Sequence, residues 1–232
     1  MSANERTEHL ILLDIDGTLV DSQDFIVEAQ RRAFAAQGMP APERERALSV
    51  VGLSLLEAFT ALAGKDAPLD NLVQAYRSAW HEMRSDPAFE DPFFEGALDF
   101  VRMLIARGDV KLGIATGKAR RGVVHLLDRT GWHDHFVTIQ TADDHPSKPA
   151  PDMILKAMEE TGTEPHHTIM IGDTTYDMAM AKAAGVHAIG VAWGYHRCEA
   201  LLHAGADVVV EDYAHLTRTI ADLLVDASAP AA

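Results

Sequence analysis

The sequence predicts an α/β protein: a doubly wound parallel sheet, covered by helices on both sides, with a small all-helical insert after the first strand. Three observations lead there. Short runs rich in Val, Ile and Leu recur without polar alternation, as strands buried on both faces do. Helical patterns separate the later runs, which implies parallel strands joined by crossovers. Between about residues 22 and 92 the strand rhythm stops.

Leu10–Leu13 reads as the first strand. Phe25–Gln37, Leu53–Leu62 and Leu69–Met83 then read as three helices, punctuated by Pro40, Pro42, Pro68, Pro87 and Pro92. Strand–helix–strand connections rarely carry three consecutive helices, so this stretch is expected to be an insert. The expected units are residues 1–21 with 93–232 as the core, and 22–92 as the insert. Beyond the insert, Ala97–Ala106 reads as a helix. Strands are expected at Leu112–Ala115, Phe136–Ile139, Thr168–Ile171, Ala188–Val191 and Val208–Val210. Helices are expected at Arg120–Arg129, Asp152–Glu160, Tyr176–Ala184 and His215–Leu224. Gly108, Gly131, Gly162 and Gly185 stand where helices should stop. Ser228–Ala232 reads as a frayed tail.

Composition narrows the function. The 232 residues are 47% hydrophobic, enough for a sizeable core and against wholesale disorder. Twenty basic against 35 acidic residues leave a net charge of −15, which argues against a nucleic-acid partner. No apolar run approaches the ~18 residues of a membrane span, and Leu10–Leu13 is too short for a signal-peptide core. A cytoplasmic protein with no membrane partner, monomeric or homodimeric, is expected. The single cysteine, Cys198, excludes an internal disulfide and a Cys-rich zinc site. The 12 histidines are scattered and suggest surface or loop positions rather than a metal site.

Four short segments carry the chemistry, each at the end of an expected strand. Open parallel sheets bind ligands outside the carboxyl ends of their strands. Asp14-Ile15-Asp16-Gly17-Thr18-Leu19 follows the first strand and places two acids there, with Ile15 free to turn into the core. Gly17 permits a tight turn whose backbone N–H groups suit an oxyanion. Thr116-Gly117-Lys118 offers a hydroxyl and N–H groups for phosphate oxygens. Lys118 reads equally as added positive potential or as a solvated helix start. Lys148, in Ser147-Lys148-Pro149-Ala150-Pro151, can neutralise phosphate and acid charge together. Ile171-Gly172-Asp173-Thr174-Thr175-Tyr176-Asp177 delivers more acids. Asp14, Asp16 and Asp173 form an oxygen-rich set of the kind Mg²⁺ takes. Asp177 reads evenly as first-turn helix charge or as a neighbour of the metal.

Together, these segments resemble the four motifs of the haloacid dehalogenase-like hydrolase superfamily. The resemblance runs from about His9 to Leu216, and the combined pattern is specific although no single motif is. The helical insert is similar to the small α-helical cap of the subfamily that contains phosphoglycolate phosphatases, as are Ala183-Ala184-Gly185, Trp193-Gly194-Tyr195 and Gly205-Ala206-Asp207. The resemblance implies a Rossmann-like core and two-step phosphoryl transfer from a small phosphate ester. Asp14 would be the nucleophile and would form an aspartyl-phosphate. Asp16 would be the general acid and base, and its backbone carbonyl would meet Mg²⁺. Asp14 and Asp173 would give metal carboxylates, with Asp177 behind them or acting through water. Thr116, Gly117 and Lys148 would hold the phosphoryl group.

Asp16 separates the chain from the dehalogenases, which lack an acid two positions after the nucleophile. Lys65, the insert's only lysine, lies beside Gly64 in an expected loop, which discounts a phosphonoacetaldehyde hydrolase. The β-phosphoglucomutases usually carry Glu where this chain has Gly172, so hydrolysis leads. A mutase is the alternative, and a non-catalytic phospho-receiver a second one. Val51-Gly52-Leu53-Ser54 resembles the cap loop that faces the active site. Gly52 and Ser54 are therefore candidates for the leaving group, although Ser54 reads first as a helix cap. Arg44, Arg46, Arg77 and Arg84 are candidates for a second anionic group of a phosphoglycolate-like substrate. Trp80, Trp132 and Trp193 read as packing residues.

Overall fold

The computed structural model describes residues 8–85 and 91–226. The first strand, β1 (His9–Leu13), is buried throughout. The insert follows as α1 (Gln23–Ala36), α2 (Arg44–Leu48), α3 (Leu55–Ala63) and α4 (Leu69–Arg84). The core resumes with α5 (Ala97–Ile105), β2 (Val110–Thr116), α6 (Arg120–Thr130) and β3 (Phe136–Thr141). It continues through α7 (Asp152–Thr161), β4 (Thr168–Gly172), α8 (Thr175–Ala184) and β5 (His187–Val191). It ends with α9 (Cys198–Ala204), β6 (Val208–Val210) and α10 (Tyr213–Asp226).

Among the described residues the six strands form one parallel sheet in the order β3-β2-β1-β4-β5-β6. Successive side chains of a strand point to opposite faces, and β1 shows why both faces are apolar. Ile11 and Leu13 pack with Phe100 of α5, Leu127 of α6 and Leu216 of α10. Leu10 and Leu12 pack with Ile154 of α7, Met178 of α8 and Leu201 of α9. A separate cluster joins the insert's helices: Phe25, Ala29 and Phe34 of α1, Phe59 of α3, and Leu72, Tyr76 and Met83 of α4. The two connections to the insert run side by side. Val20 bridges Phe93 antiparallel, Phe94 N donates to Leu19 O at 3.0 Å, and Asp21 N to Pro92 O at 2.8 Å.

Three details differ from the sequence expectation. Helices α2 and α9 are five and seven residues long, too short to show a periodic apolar stripe in sequence. Helix α5 stops at Ile105 on an Ala106 cap, before Gly108, whereas Gly131, Gly162 and Gly185 do end their helices in the left-handed region. Helix α3 begins at Leu55 rather than Leu53, because Ser54 caps it. The expected tail, Ser228–Ala232, and Pro87 lie outside the described residues.

At the opposite end of β1 from Asp14, His9 is buried with no partner on either ring nitrogen, its ring 5.0 Å from that of His167. Burial and the neighbouring His167 hold its pKa below the ordinary value. A histidine whose folded pKa is depressed contributes stability above its unfolded pKa and loses it as pH falls toward the folded one. Stability is expected to fall on acidification below about pH 6.5, with a slope of at most about 1.4 kcal/mol per pH unit from this residue. Thermal melts of wild type and His9→Leu between pH 7.5 and 5.5 check this. The variant should show the flatter profile, and parallel profiles would remove His9 from the explanation.

Candidate active site

The register of the sheet assembles the site. Leu13 is level with Ile114 on β2 and with Ile171 on β4. The next residue, Asp14, donates its N–H to Ile171 O at 3.0 Å. Asp14, Thr116 and Asp173 thus emerge side by side at the carboxyl edge. The chain order reverses between β1 and β4, where such sheets open a crevice. Ile15 turns into the core and is fully buried, which leaves Asp14 and Asp16 on the crevice side.

Asp14, Asp173 and Asp177 are all buried, and each offers a carboxylate oxygen within 4.8 Å of the other two. Lys148 sits among them with a fully buried side chain. Its Nζ lies 2.5 Å from Asp177 Oδ1 and 3.2 Å from Asp14 Oδ1. Asp14 Oδ1 meets Lys148 as an ion pair but accepts no hydrogen bond. Asp173 accepts from Thr18 Oγ1 at 3.0 Å and from Tyr195 N at 2.9 Å. Asp177 closes a capping box, accepting from Thr174 N at 3.0 Å and Thr174 Oγ1 at 2.6 Å.

Burial, reinforced by Asp177 and Asp14, holds Asp173 well above the ordinary carboxylate pKa. Burial also raises Asp14, against the pull of Lys148. For Lys148 burial pulls the other way, but Asp14 and Asp177 outweigh it and hold the ammonium charged. Three acids share one buried cation, so the pocket is short of positive charge. A buried Asp14 oxygen that accepts no hydrogen bond and an all-oxygen donor set fit a hard divalent cation such as Mg²⁺. Asp14 and Asp173 would hold it. Asp177 already faces the Lys148 ammonium, whereas Asp173 meets only the neutral donors Thr18 Oγ1 and Tyr195 N, so Asp177 is placed to act through Lys148 or through a water. Among the described residues no such group contains a histidine.

Asp16 stands apart from the cluster. Its Oδ1 accepts from Ser22 Oγ and from Lys118 Nζ, both at 2.6 Å. Its side chain is not part of the buried acid group, and the metal contact that the resemblance implies for it is through the backbone carbonyl. Lys118, open in sequence between two roles, is half-buried, pairs with Asp16 and lies 4.8 Å from the centroid of the Trp80 ring. Tyr195 supports the same corner, its hydroxyl accepting from Ser22 N at 2.9 Å. Neither Ser22 nor the Lys118–Asp16 pair was identified from sequence.

Gly17 carries a correction. Its N–H, expected to face an oxyanion, donates to Val20 O at 2.9 Å. Its requirement is space: its φ is +88°, and a Cβ there would lie 2.2 Å from Asp173 Oδ2. Gly172 is equally constrained, since a Cβ would lie 2.3 Å from Asp177 Cγ. A glutamate at 172, the mutase pattern, has no room while Asp177 keeps its place.

The insert roofs the site and leaves a cavity of about 90 Å³, with Asp14, Asp16, Thr116, Gly117 and Lys118 on its floor. Gly52 is on its wall, and the loop is pressed so close that a Cβ on Gly117 would lie 2.4 Å from Gly52 O. Ser54 N donates to Ser147 Oγ at 2.8 Å and Tyr176 Oη to Ser49 O at 3.1 Å, so the roof is seated on the core. Ser54 does not line the cavity. Its hydroxyl accepts from Glu57 N and donates to the Glu57 carboxylate, which makes it a helix cap. Lys65 is exposed and away from the cavity. Trp132 and Trp193 pack in the core as expected, but Trp80 lines the cavity.

The chain is similar to the "Probable phosphatase IndB" of Dickeya dadantii, at 34% identity over 226 residues, 95% of this chain and 97% of that protein. It is equally similar to the pyrophosphatase PpaX of Bacillus pumilus, at 34% over 219 residues, 94% and 98% of the two chains. In fold it is similar to a hydrolase from Pseudomonas syringae, with a TM-score of 0.81 at 24% identity over 93% of this chain and 99% of that one. Residues 11–191 match the haloacid dehalogenase-like hydrolase pattern. The chain belongs to the haloacid dehalogenase-like hydrolase family.

Proposed function

We propose that this hydrolase is a Mg²⁺-dependent phosphatase acting on a small phosphate monoester through an aspartyl-phosphate on Asp14. The observation that carries the reading is the buried Asp14, Asp173 and Asp177 cluster with Lys148 at its centre. Two relatives of similar identity bear phosphatase and pyrophosphatase names, which supports attack on phosphorus. The phosphoglycolate-like substrate implied by the sequence resemblance belongs to the same class.

In the first step an Asp14 carboxylate oxygen attacks phosphorus and the bond to the ester oxygen breaks, leaving the phosphoryl group on Asp14. Thr116, Gly117 and Lys148 hold the equatorial oxygens. Asp16 gives its proton to the departing oxygen. In the second step Asp16 takes a proton from the attacking water, phosphate leaves, and the Asp14 carboxylate is restored. A bound Mg²⁺ supplies positive charge against the carboxylates and phosphoryl oxygens. Ser22 and Lys118 fix the orientation of Asp16. Residues 22–92 act as a cap that opens at the paired connections near Val20 and Phe93 and closes to exclude water.

Hydrolysis of p-nitrophenyl phosphate, abolished by EDTA and restored by Mg²⁺, tests the reading, and no turnover in Mg²⁺ would refute it. Asp16→Asn gives the finer test. Turnover of alkyl phosphates should fall about 10²–10⁴-fold, the usual contribution of a general acid. p-Nitrophenyl phosphate, whose leaving group needs little protonation, should lose much less in the burst step. Equal losses would remove Asp16 from the acid role.

A further inference from the structure

We propose that the cap cavity selects a monoester whose leaving group is an uncharged, largely apolar alcohol, and discriminates against one that carries a second anionic group. The inference rests on the phosphatase reading and narrows its substrate class.

The roof of the cavity is apolar. Ile26, Val50, Leu55, Phe59, Tyr76 and Trp80 line it, drawn from α1, α3, α4 and the loop between α2 and α3. The aromatic rings brace one another. Phe59 and Tyr76 stand 5.8 Å apart, Tyr76 and Trp80 5.7 Å, and Phe25 backs Trp80 at 4.1 Å. Such a wall gains from covering hydrocarbon and gives an ionised group nothing to replace its water.

The buried polar groups in this roof are neutral. Gln30 is 5% exposed; its Nε2 donates to Ala47 O at 3.2 Å, and its Oε1 has no partner. The Nε2 bond fixes which end of the amide is left over. Tyr76 is 9% exposed, and its hydroxyl makes no hydrogen bond among the described residues. Both suit a hydroxyl or an N–H on an otherwise apolar body.

The cations near the cavity do not provide a buried anion subsite. Lys118 is committed to Asp16. Arg77 and Arg121 line the cavity but are exposed at its mouth, where Arg121 Nη2 reaches Arg77 O at 3.4 Å. There they favour entry of a phosphate ester into a chain of net charge −15. Arg44 pairs with Asp24 at 2.7 Å, Arg46 donates to Ala61 O at 2.6 Å, and Arg84 lies 3.6 Å from Asp91. None of these three lines the cavity.

A series of n-alkyl phosphates from methyl to pentyl tests the inference, because lengthening the chain adds methylenes and barely changes the leaving-group pKa. With Mg²⁺ present, kcat/KM is expected to rise about fourfold per methylene, the ratio equivalent to ~0.8 kcal/mol per CH₂ buried, and then to level off once the cavity is full. Phosphoglycolate and pyrophosphate should fall at least about tenfold below propyl phosphate, although both have better leaving groups. Ala58→Leu, which enlarges a residue of the wall, should move the optimum to a shorter chain. A flat alkyl series, or a preference for phosphoglycolate or pyrophosphate, would overturn the inference while p-nitrophenyl phosphate hydrolysis left the phosphatase reading standing. Failure to hydrolyse p-nitrophenyl phosphate would take down both.

Discussion

Asp14→Asn is expected to lower turnover of every phosphate ester by about 10⁴-fold or more, the scale on which loss of a covalent nucleophile acts, without lowering the melting temperature. The two halves of this result have one cause. Asp14 is buried beside Asp173 and Asp177, and burial already disfavours its charge. The folded state gains little from that carboxylate, whose lone pair attacks phosphorus in the proposed reaction. Asparagine has the same shape, is too weak a nucleophile, and removes one of three crowded negative charges. Lys148 keeps its partner Asp177 at 2.5 Å, so no buried cation is stranded. Steady-state kinetics and a thermal melt on the same preparation check both halves. Loss of activity together with a large loss of stability would point to a structural role for Asp14.

The parts of this site that sequence exposes are those that local chain geometry determines. An apolar strand followed by Asp14 and Asp16, or by Gly172 and Asp173, states where the acids emerge, and the sheet order brings β1, β2 and β4 together. Lys118 shows the limit. Its neighbours Gly117 and Ala119 give no hint that its amine reaches Asp16, 102 residues earlier, beneath the Trp80 ring. Ser22 and Tyr195 were hidden for the same reason, since each acts through a contact set by tertiary packing. Gly17 was seen correctly as a required glycine but for the wrong atom. The close approach of Asp173, not a free N–H, excludes a side chain there. The helices of the insert were legible from their apolar spacing. The cavity beneath them was not, because Tyr76 and Trp80 look the same in sequence whether they face the core of the insert or a substrate.

Lys148→Met is expected to destabilise the protein by about 3–5 kcal/mol, the cost of breaking a buried ion pair by removing one partner, and to abolish turnover. The substitution preserves much of the apolar stem but leaves Asp14, Asp173 and Asp177 buried with no cation among the described residues. Mg²⁺ should recover part of the stability, since a ligand that binds only the folded state shifts unfolding by mass action. It should not recover activity, because the phosphoryl oxygens have lost their donor. Lys148→Arg should not rescue activity either, since the fully buried site has no space for a planar guanidinium. Urea unfolding with and without Mg²⁺ measures the effect. A variant as stable as wild type without metal would mean that the acid cluster is neutral in the folded protein and needs no counter-charge.

Asp14 itself is expected to become phosphorylated during turnover. Quenching a reaction during turnover, reducing it with borohydride and sequencing the peptides by mass spectrometry tests this directly, because borohydride converts an aspartyl-phosphate to homoserine. The expected result is homoserine at position 14 only, present with substrate and Mg²⁺ and absent when either is left out. Turnover that leaves residue 14 unmodified, or that marks a different side chain, would contradict the claim.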